Sequence, residues 1–143
     1  LDIAFNKRQP ALLFDLLEED RFRAAKVILL HCYPFVDDAA YMTAILPNVY
    51  CDLSLTLPYT HSQAAYWLAR ALTVAPASKI LYGSDGFNLP ETHWLAARLA
   101  RRALSQVLEE MINAGYLGRG DALSMAHMIL AENARQVYGL DAV

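Results

Sequence analysis

The sequence predicts an α/β protein built on one parallel sheet, and the alternation of two kinds of segment predicts it. Three apolar stretches end abruptly in small or polar residues, as buried parallel strands do. They are Lys26–Leu30, Val49–Leu55 and Ile80–Tyr82. A segment with helical spacing lies between consecutive stretches, and that order is typical of right-handed βαβ units. A protein made of β-hairpins would not need the intervening helices.

The first part of the chain supplies one helix before the first strand and one after it. Residues 1–9 show no clear period and are expected to form a loop. Pro10 suits the first turn of a helix. The apolar stripe of that helix would be Leu12, Leu13, Leu16 and Leu17. After the strand, helical spacing returns over Phe35–Leu46, and Pro47 ends it.

The second strand is bounded by Pro58, and a helix then runs from Ser62 to just before Pro76. After the third strand, Pro90 opens a long helix that reaches about Asn113 and stops at Gly115. One side of this helix is arginine-rich and the opposite side leucine-rich, so one face is expected to be packed. The arginines are Arg98, Arg101 and Arg102, and the leucines are Leu95, Leu99, Leu104 and Leu108.

Asp121 is expected to be the N-cap of a last helix that closes near Gly139. The sequence therefore predicts three strands and about five helices. In an eight-stranded barrel of ~250 residues, one βα unit averages ~31 residues. The strand starts at Lys26, Val49 and Lys79 are compatible with that spacing. We therefore expect a partial (β/α)8 TIM-type barrel with about three parallel strands and flanking helices.

Composition bounds the functional classes. The chain has 143 residues, 56% of them apolar, and a net charge of −3. One domain with a proper core is expected, and the charge favours neither nucleic acid nor an anionic membrane surface. Cys32 and Cys51 have neither CxxC spacing nor the density of a disulfide scaffold, which indicates a reducing cytoplasm.

Each predicted strand delivers a polar side chain to its carboxyl end. His31 follows the first strand, Ser54 lies at the end of the second and Asp85 follows the third. Parallel strands bring their carboxyl ends to one edge of the sheet, where α/β enzymes build their sites. We therefore expect His31 and Asp85 to share that edge, roughly 10 Å apart at two strand spacings.

The chemistry of these residues is open to two interpretations. A carboxylate at a strand end suits Mg, Mn or Zn with a bound water, and a histidine there suits acid/base catalysis. Alternatively, Asp85 stabilises its own turn and His31 binds a neighbouring loop. Tyr33 and Ser54 could line a substrate pocket, or their hydroxyls could satisfy loop backbone.

Three motifs carry a resemblance to a known family. They are His31-Cys32-Tyr33-Pro34, Asn48–Ser54, and Leu81–Asp85 with Pro90-Glu91. In order and spacing they resemble the last three strands of the amidohydrolase-related family, which are metal-dependent (β/α)8 barrels of the amidohydrolase superfamily. The closest likeness is to the amidohydrolase domains related to glutamine synthetase fusions, and it covers nearly all of the chain.

The resemblance implies roles for two residues. Asp85 matches the aspartate after the eighth strand, which binds a divalent metal and helps deprotonate or orient its water. His31 matches the histidine after the sixth strand, which acts as an acid/base or as a donor to developing charge. The other expected ligands have no counterpart, because His61, His93 and His127 occupy positions that the pattern does not use.

The chain, residues 1–143, is therefore expected to be a single-domain C-terminal portion of such a barrel, without its N-terminal half and inactive alone. The resemblance implies that the full-length protein is a metal-dependent hydrolase, or a related decarboxylase, that uses Zn, Mn or Mg on a small molecule. The alternative is a non-catalytic α/β binding or interaction domain whose apolar face docks a partner.

Association is the last expectation. An arc of three strands leaves two open edges and an apolar face, both of which invite pairing. We expect a homo-oligomer, or association with the missing N-terminal half. The interface would draw on the strands and on Ile3, Phe5, Leu12 and Leu13.

Overall fold

A three-stranded parallel sheet forms the centre of the computed structural model, which describes residues 7–140. The strands are β1 (Val27–Leu29), β2 (Val49–Asp52) and β3 (Ile80–Leu81), in the spatial order β1-β2-β3. Val27 pairs with Val49, and Cys51 pairs with Ile80. The predicted fold class is confirmed: the chain is α/β, with parallel strands, flanking helices and the geometry of a partial TIM-type fold.

One helix, α1 (Phe14–Glu18), precedes β1, and helices follow each strand, as the alternation predicts. The helices that follow strands are α2 (Val36–Ile45), α3 (Thr56–Thr60), α4 (Ala64–Val74), α5 (Pro90–Asn113), α6 (Arg119–His127) and α7 (Asn133–Tyr138). A π-helical turn, Met128–Glu132, joins α6 to α7, and short 3-10 turns cover Pro10–Leu13, Asp20–Phe22, His61–Gln63 and Ala77–Lys79. Within residues 7–140, no helix combines the length and the apolarity needed to cross a bilayer.

The core lies on one face of the sheet. Leu29, Val49, Cys51 and Ile80 point to this face and are buried. Strand alternation places Ile28 and Leu81 on the opposite face, where Ile28 is half-buried and Leu81 is buried. This face is therefore less covered at β1 than at β3.

The buried face of α5 contains two of the four leucines predicted for it, Leu104 and Leu108. It is completed by alanines, since Ala96, Ala100 and Ala103 are buried, whereas Leu95 is exposed. Small side chains let α5 pack closely on α4, so alanines occupy the contact. The stripe predicted after Pro10 is also only partly buried, since Leu17 is the member with a buried side chain and Leu12, Leu13 and Leu16 are exposed.

Two predicted boundaries are wrong. The second strand ends at Asp52 because the Asp52 carboxylate accepts a 2.7 Å hydrogen bond from the Ser54 N–H and turns the chain. Pro58 then lies in the first turn of α3, where its missing N–H costs nothing. Asp121 is not an N-cap, because α6 begins at Arg119 with extended Gly118 as its cap.

Polar side chains anchor the amino ends of the strands. Lys26 Nζ donates to Gln136 O at 3.0 Å, ahead of β1. Lys79 Nζ donates to Thr43 O at 2.8 Å and Leu46 O at 2.6 Å, which satisfies carbonyls at the end of α2. These bonds hold the amino ends of β1 and β3, and the predicted site residues lie at the opposite, carboxyl edge of the sheet. Ile3 and Phe5 fall outside the described residues.

Candidate functional site

His31 and Asp85 meet at the carboxyl edge of the sheet. His31 Nε2 lies 3.3 Å from Asp85 Oδ1, although the residues follow β1 and β3, the two outer strands. Their side chains lean toward each other across the end of β2, which makes them closer than the strand spacing alone suggests. Both remain partly exposed, at 46% and 27% of the side chain. The pair therefore combines an imidazole with a carboxylate that solvent can reach.

The backbone that carries the pair is unusual. The φ angles of His31, Cys32 and Asp85 are 70°, 57° and 50°, in the left-handed region that non-glycine residues seldom adopt. Thr56 Oγ1 donates to His31 O, and Cys32 Sγ donates to Leu29 O at 3.3 Å, so neighbouring groups hold this turn. Residues kept in such conformations cluster at functional sites, where the surrounding structure must impose them.

Ser84 and Gly86 flank Asp85 in the loop after β3. Ser84 Oγ lies 2.7 Å from His93 Nδ1 and accepts a 3.2 Å hydrogen bond from the Gly86 N–H. Sequence reasoning gave His93 no role. The available signal was that Pro90 starts α5, which places residue 93 in the first turn, next to the loop before it.

Gly83 permits a close approach of the β2 and β3 ends. A Cβ on Gly83 would lie 2.8 Å from Asp52 Oδ2 and 2.9 Å from Ser54 Cβ, which is closer than real Cβ contacts allow. Ser54, a predicted substrate contact, is 6% exposed and lies behind Gly83. Asp52 is a buried carboxylate that sequence reasoning missed, although its place at the end of an apolar strand was a signal for it.

Two clefts lie beside the pair. A cleft of about 450 Å³ is lined by His31 and Tyr33 together with residues of the segment 7–13. The predicted substrate contact Tyr33 is exposed there, and its ring meets the Trp67 ring edge-on at a centroid distance of 5.4 Å. A second cleft of about 400 Å³ is lined by Asp85, Tyr59 and His61. Each has the volume of a small-molecule site.

The donors present fit a divalent metal in kind but not in number. His31 and Asp85 offer one nitrogen and one oxygen, which suit Zn or Mn. Protein sites for these metals usually supply about three ligands. Among residues 7–140, no group of three His, Cys, Asp or Glu side chains lies close enough to hold an ion. His61 lines the second cleft and His127 lies exposed on α6, so neither joins the pair.

Comparison with known proteins relates the chain to larger ones. The amidohydrolase family model matches residues 2–140. Protein fluG of Emericella nidulans is 33% identical over 142 residues, which are 98% of this chain and 16% of fluG. A crystal structure from Lactobacillus casei, named "putative metal-dependent hydrolase", has a TM-score of 0.86 at 29% identity. The match covers 93% of this chain and 35% of that one. The chain therefore spans well under half the length of both proteins.

Proposed function

We propose, from the premise that this chain belongs to the amidohydrolase family, that it supplies the His31–Asp85 part of a metal-dependent hydrolase site for a small molecule. The predicted resemblance to this family is confirmed by the family match and by the similarity to fluG. The observation that carries the proposal is the 3.3 Å approach of His31 Nε2 to Asp85 Oδ1 at the carboxyl edge. In βα barrels, this is the edge where catalytic groups lie.

The pair handles protons in the proposed reaction. Asp85 accepts the proton that an attacking water loses, because its carboxylate faces solvent at the strand end. His31 Nε2 lies 3.3 Å from Asp85 Oδ1, so the imidazole donates a hydrogen bond to this carboxylate oxygen or to negative charge that develops on the substrate. A divalent metal, when bound, would polarise the substrate and lower the pKa of water. Asp85 is the ligand that we nominate in this chain, with Zn, Mn or Mg as candidates.

The substrate would bind in the clefts beside the pair. Tyr33 would contact it, and the exposure of its ring in the cleft that His31 also lines supports this role. Ser54 remains a proposed contact, although its burial behind Gly83 favours a role in shaping the rim. The cleft volumes of about 450 and 400 Å³ favour a small molecule over a polymer.

We propose that this part of the site is inactive by itself. Two donors hold a catalytic metal weakly, because about three protein ligands are usual. The matched solved structure is almost three times as long as its overlap with this chain, which leaves room for further ligands in a longer protein. The chain alone should therefore show little hydrolase activity and only weak metal binding.

Calorimetry with Zn²⁺ or Mn²⁺ tests the metal part. We expect weak binding by the chain and still weaker binding by Asp85→Asn. In the full-length protein, Asp85→Asn and His31→Gln should each remove most hydrolysis of a panel of small esters, amides and lactones. Matched controls are Asp38→Asn and His127→Gln, which alter an exposed carboxylate and an exposed imidazole away from the pair. A tight stoichiometric site in the chain alone, lost in Asp85→Asn, would refute the missing-ligand proposal.

We also propose that the chain associates through its sheet. Among the described residues, β1 and β3 each pair with β2 alone. Within residues 7–140, the outer edge of β1 has no further strand beside it, whereas Asn133 Nδ2 and Ile129 O hydrogen-bond to Ile80 O and the Tyr82 N–H on the outer edge of β3. The edge proposed for pairing is therefore that of β1.

Leu30, beyond β1, and Leu12 and Leu13 beside it expose apolar surface at the same side. A homo-oligomer, or a complex with the rest of a barrel, would cover these groups. Sedimentation at micromolar concentration is the test, and a well-behaved monomer with no partner would contradict it.

A cytoplasmic location is proposed from the cysteines. Cys32 and Cys51 are both free and buried in the core. A hydrogen bond with Cys51 and burial raise the pKa of Cys32, which keeps its thiol protonated. Thiol counting on protein purified without reductant tests this, and an intramolecular disulfide in the native protein would contradict it.

A further inference from the structure

We infer that His93 is a positioning residue for Asp85 and acts on it through Ser84. The inference rests on the proposed function, because it assumes that the placement of the Asp85 carboxylate matters. Its evidence is separate, since it comes from contacts of the residues on either side of Asp85. Neither the family motifs nor the strand-end pattern points to His93.

The His93 imidazole touches the loop on both sides of Asp85. On one side, Nδ1 lies 2.7 Å from Ser84 Oγ. On the other, the ring lies against Gly86, where an added Cβ would come within 2.5 Å of Cε1 and of Nδ1. The two contacts are joined by the 3.2 Å hydrogen bond from the Gly86 N–H to Ser84 Oγ. One side chain of α5 therefore fixes both flanks of a three-residue loop.

Asp85 needs such support because of its backbone conformation. Its φ of 50° is disfavoured for a residue with a Cβ, so contacts from elsewhere must hold it. The turn is closed by the Ser84 hydroxyl, and this leaves the Asp85 carboxylate to approach His31 Nε2 at 3.3 Å. Ser84 thus does what a turn-stabilising Asp85 would otherwise do.

The geometry singles out one nitrogen of His93. An asparagine amide can take the position of Nδ1, whereas a glutamine amide reaches the position of Nε2. His93→Asn should therefore preserve the bond to Ser84, and His93→Gln should lose it. This matched pair separates a positioning role from a general need for a polar side chain at the start of α5.

Solvent exchange of the Gly86 amide, measured by NMR, is the readout. We expect wild type and His93→Asn to exchange at similar rates, and His93→Gln to exchange about fivefold faster because Ser84 Oγ is no longer held. Ser84→Ala should match His93→Gln, and its small change keeps the test valid if His93→Gln fails to fold. The Asp85 ¹³Cα shift should report loss of the left-handed conformation in the same two variants.

The outcomes separate this inference from the proposed function. Equal Gly86 exchange and an unchanged Asp85 shift in His93→Asn, His93→Gln and Ser84→Ala would overturn the positioning role, whatever Asp85→Asn does to hydrolysis. Faster exchange in His93→Gln and Ser84→Ala, rescued in His93→Asn, would support it even if Asp85→Asn left hydrolysis intact. In that second case the proposed function would fail and the positioning of Asp85 would stand.

Discussion

The two ends of the same sheet use polar side chains in opposite ways. At the amino ends, Lys26 and Lys79 donate to backbone carbonyls, and Asn48 Nδ2 donates to Phe22 O and Ala25 O, both at 2.9 Å. At the carboxyl ends, His31 and Asp85 face each other, partly exposed, on left-handed backbone. The polar groups at the amino ends therefore hold the fold, whereas His31 and Asp85 at the carboxyl ends remain accessible to solvent.

We therefore expect residues at the amino ends to determine stability and residues at the carboxyl ends to determine the proposed activity. A polar group that satisfies buried carbonyls is costly to remove, because the carbonyls lose their partners. A polar group that solvent reaches on strained backbone contributes little stability and can be replaced without unfolding. Substitutions at the two ends should therefore affect different measurements, and the effects below run from the largest to the smallest.

Asn133→Ala should give the largest loss of stability. The Asn133 side chain is 2% exposed, and Nδ2 donates to Ala77 O at 2.7 Å and Ile80 O at 2.8 Å, at the amino end of β3. Its removal takes the side-chain donor from both carbonyls, although Ala77 O keeps the Ile80 N–H, and should lower the free energy of unfolding by about 2–4 kcal/mol. Chemical denaturation measures this. Asn113→Ala, at an exposed position on α5, is the matched control, and equal losses in both variants would contradict the assignment.

Gly83→Ala should give the next largest loss and lower the free energy of unfolding by about 1–3 kcal/mol. The new methyl group would meet Asp52 Oδ2 and Ser54 Cβ at less than 3.0 Å, so the end of β2 or β3 must shift. Thermal or denaturant melting gives the magnitude. Gly120→Ala is the control, because a Cβ there meets open space. A neutral Gly83→Ala would show that the two strand ends separate easily.

Lys79→Met should lower the free energy of unfolding by about 1–2 kcal/mol near neutral pH, because the carbonyls of Thr43 and Leu46 lose their ammonium donor. Lys26→Met serves as the comparison at β1, where the ammonium is more exposed and a smaller loss is expected. Denaturant titration of both variants decides the order. A larger loss in Lys26→Met would contradict it.

The same lysine gives a pH dependence. Burial lowers the pKa of Lys79 below its ordinary value of 10.5. In the window between the lowered pKa and 10.5 the unfolded chain binds more protons than the folded one, so stability rises with pH there. Relative to Lys79→Met, the wild type should therefore gain free energy of unfolding as pH rises through this window. A difference that falls or stays flat would contradict the burial effect.

Asp85→Asn and His31→Gln should change stability least, by no more than about 0.5 kcal/mol. Asparagine tolerates left-handed backbone, and both side chains are partly exposed, so the fold loses little. Circular dichroism melting checks the change. A loss comparable to that of Asn133→Ala would show that the carboxyl edge is structural and would end the contrast between the two ends.

Much of the fold was predictable because strong local signals define it. Pro90 and Gly115 bound α5 as predicted, and the apolar stretches became parallel strands. The end of β2 was missed because the Asp52–Ser54 hydrogen bond depends on a turn that the apolar run hides. On α5, the burial of Leu104 and Leu108 was predicted, and the buried alanines were missed because helix contacts depend on α4, which the spacing within α5 does not encode.

The site was partly predictable for the same reason. Strand-end positions brought His31 and Asp85 to one edge, because parallel topology fixes where strands end. For His93, the start of α5 at Pro90 signalled a place near the loop after β3, but the contact with Ser84 Oγ depends on how the loop folds back onto the helix. The roles proposed for Tyr33 and Ser54, and for Asp85 as a metal ligand, stay predictions.

Anomalous scattering from crystals of the full-length protein grown with Zn²⁺ or Mn²⁺ tests most directly whether the carboxyl edge is the functional end. We expect a peak about 2.0–2.2 Å from an Asp85 carboxylate oxygen, beside His31, and no such peak in crystals of Asp85→Asn. A metal bound away from Asp85, or one that persists in Asp85→Asn, would contradict the assignment of this edge as the metal-dependent site.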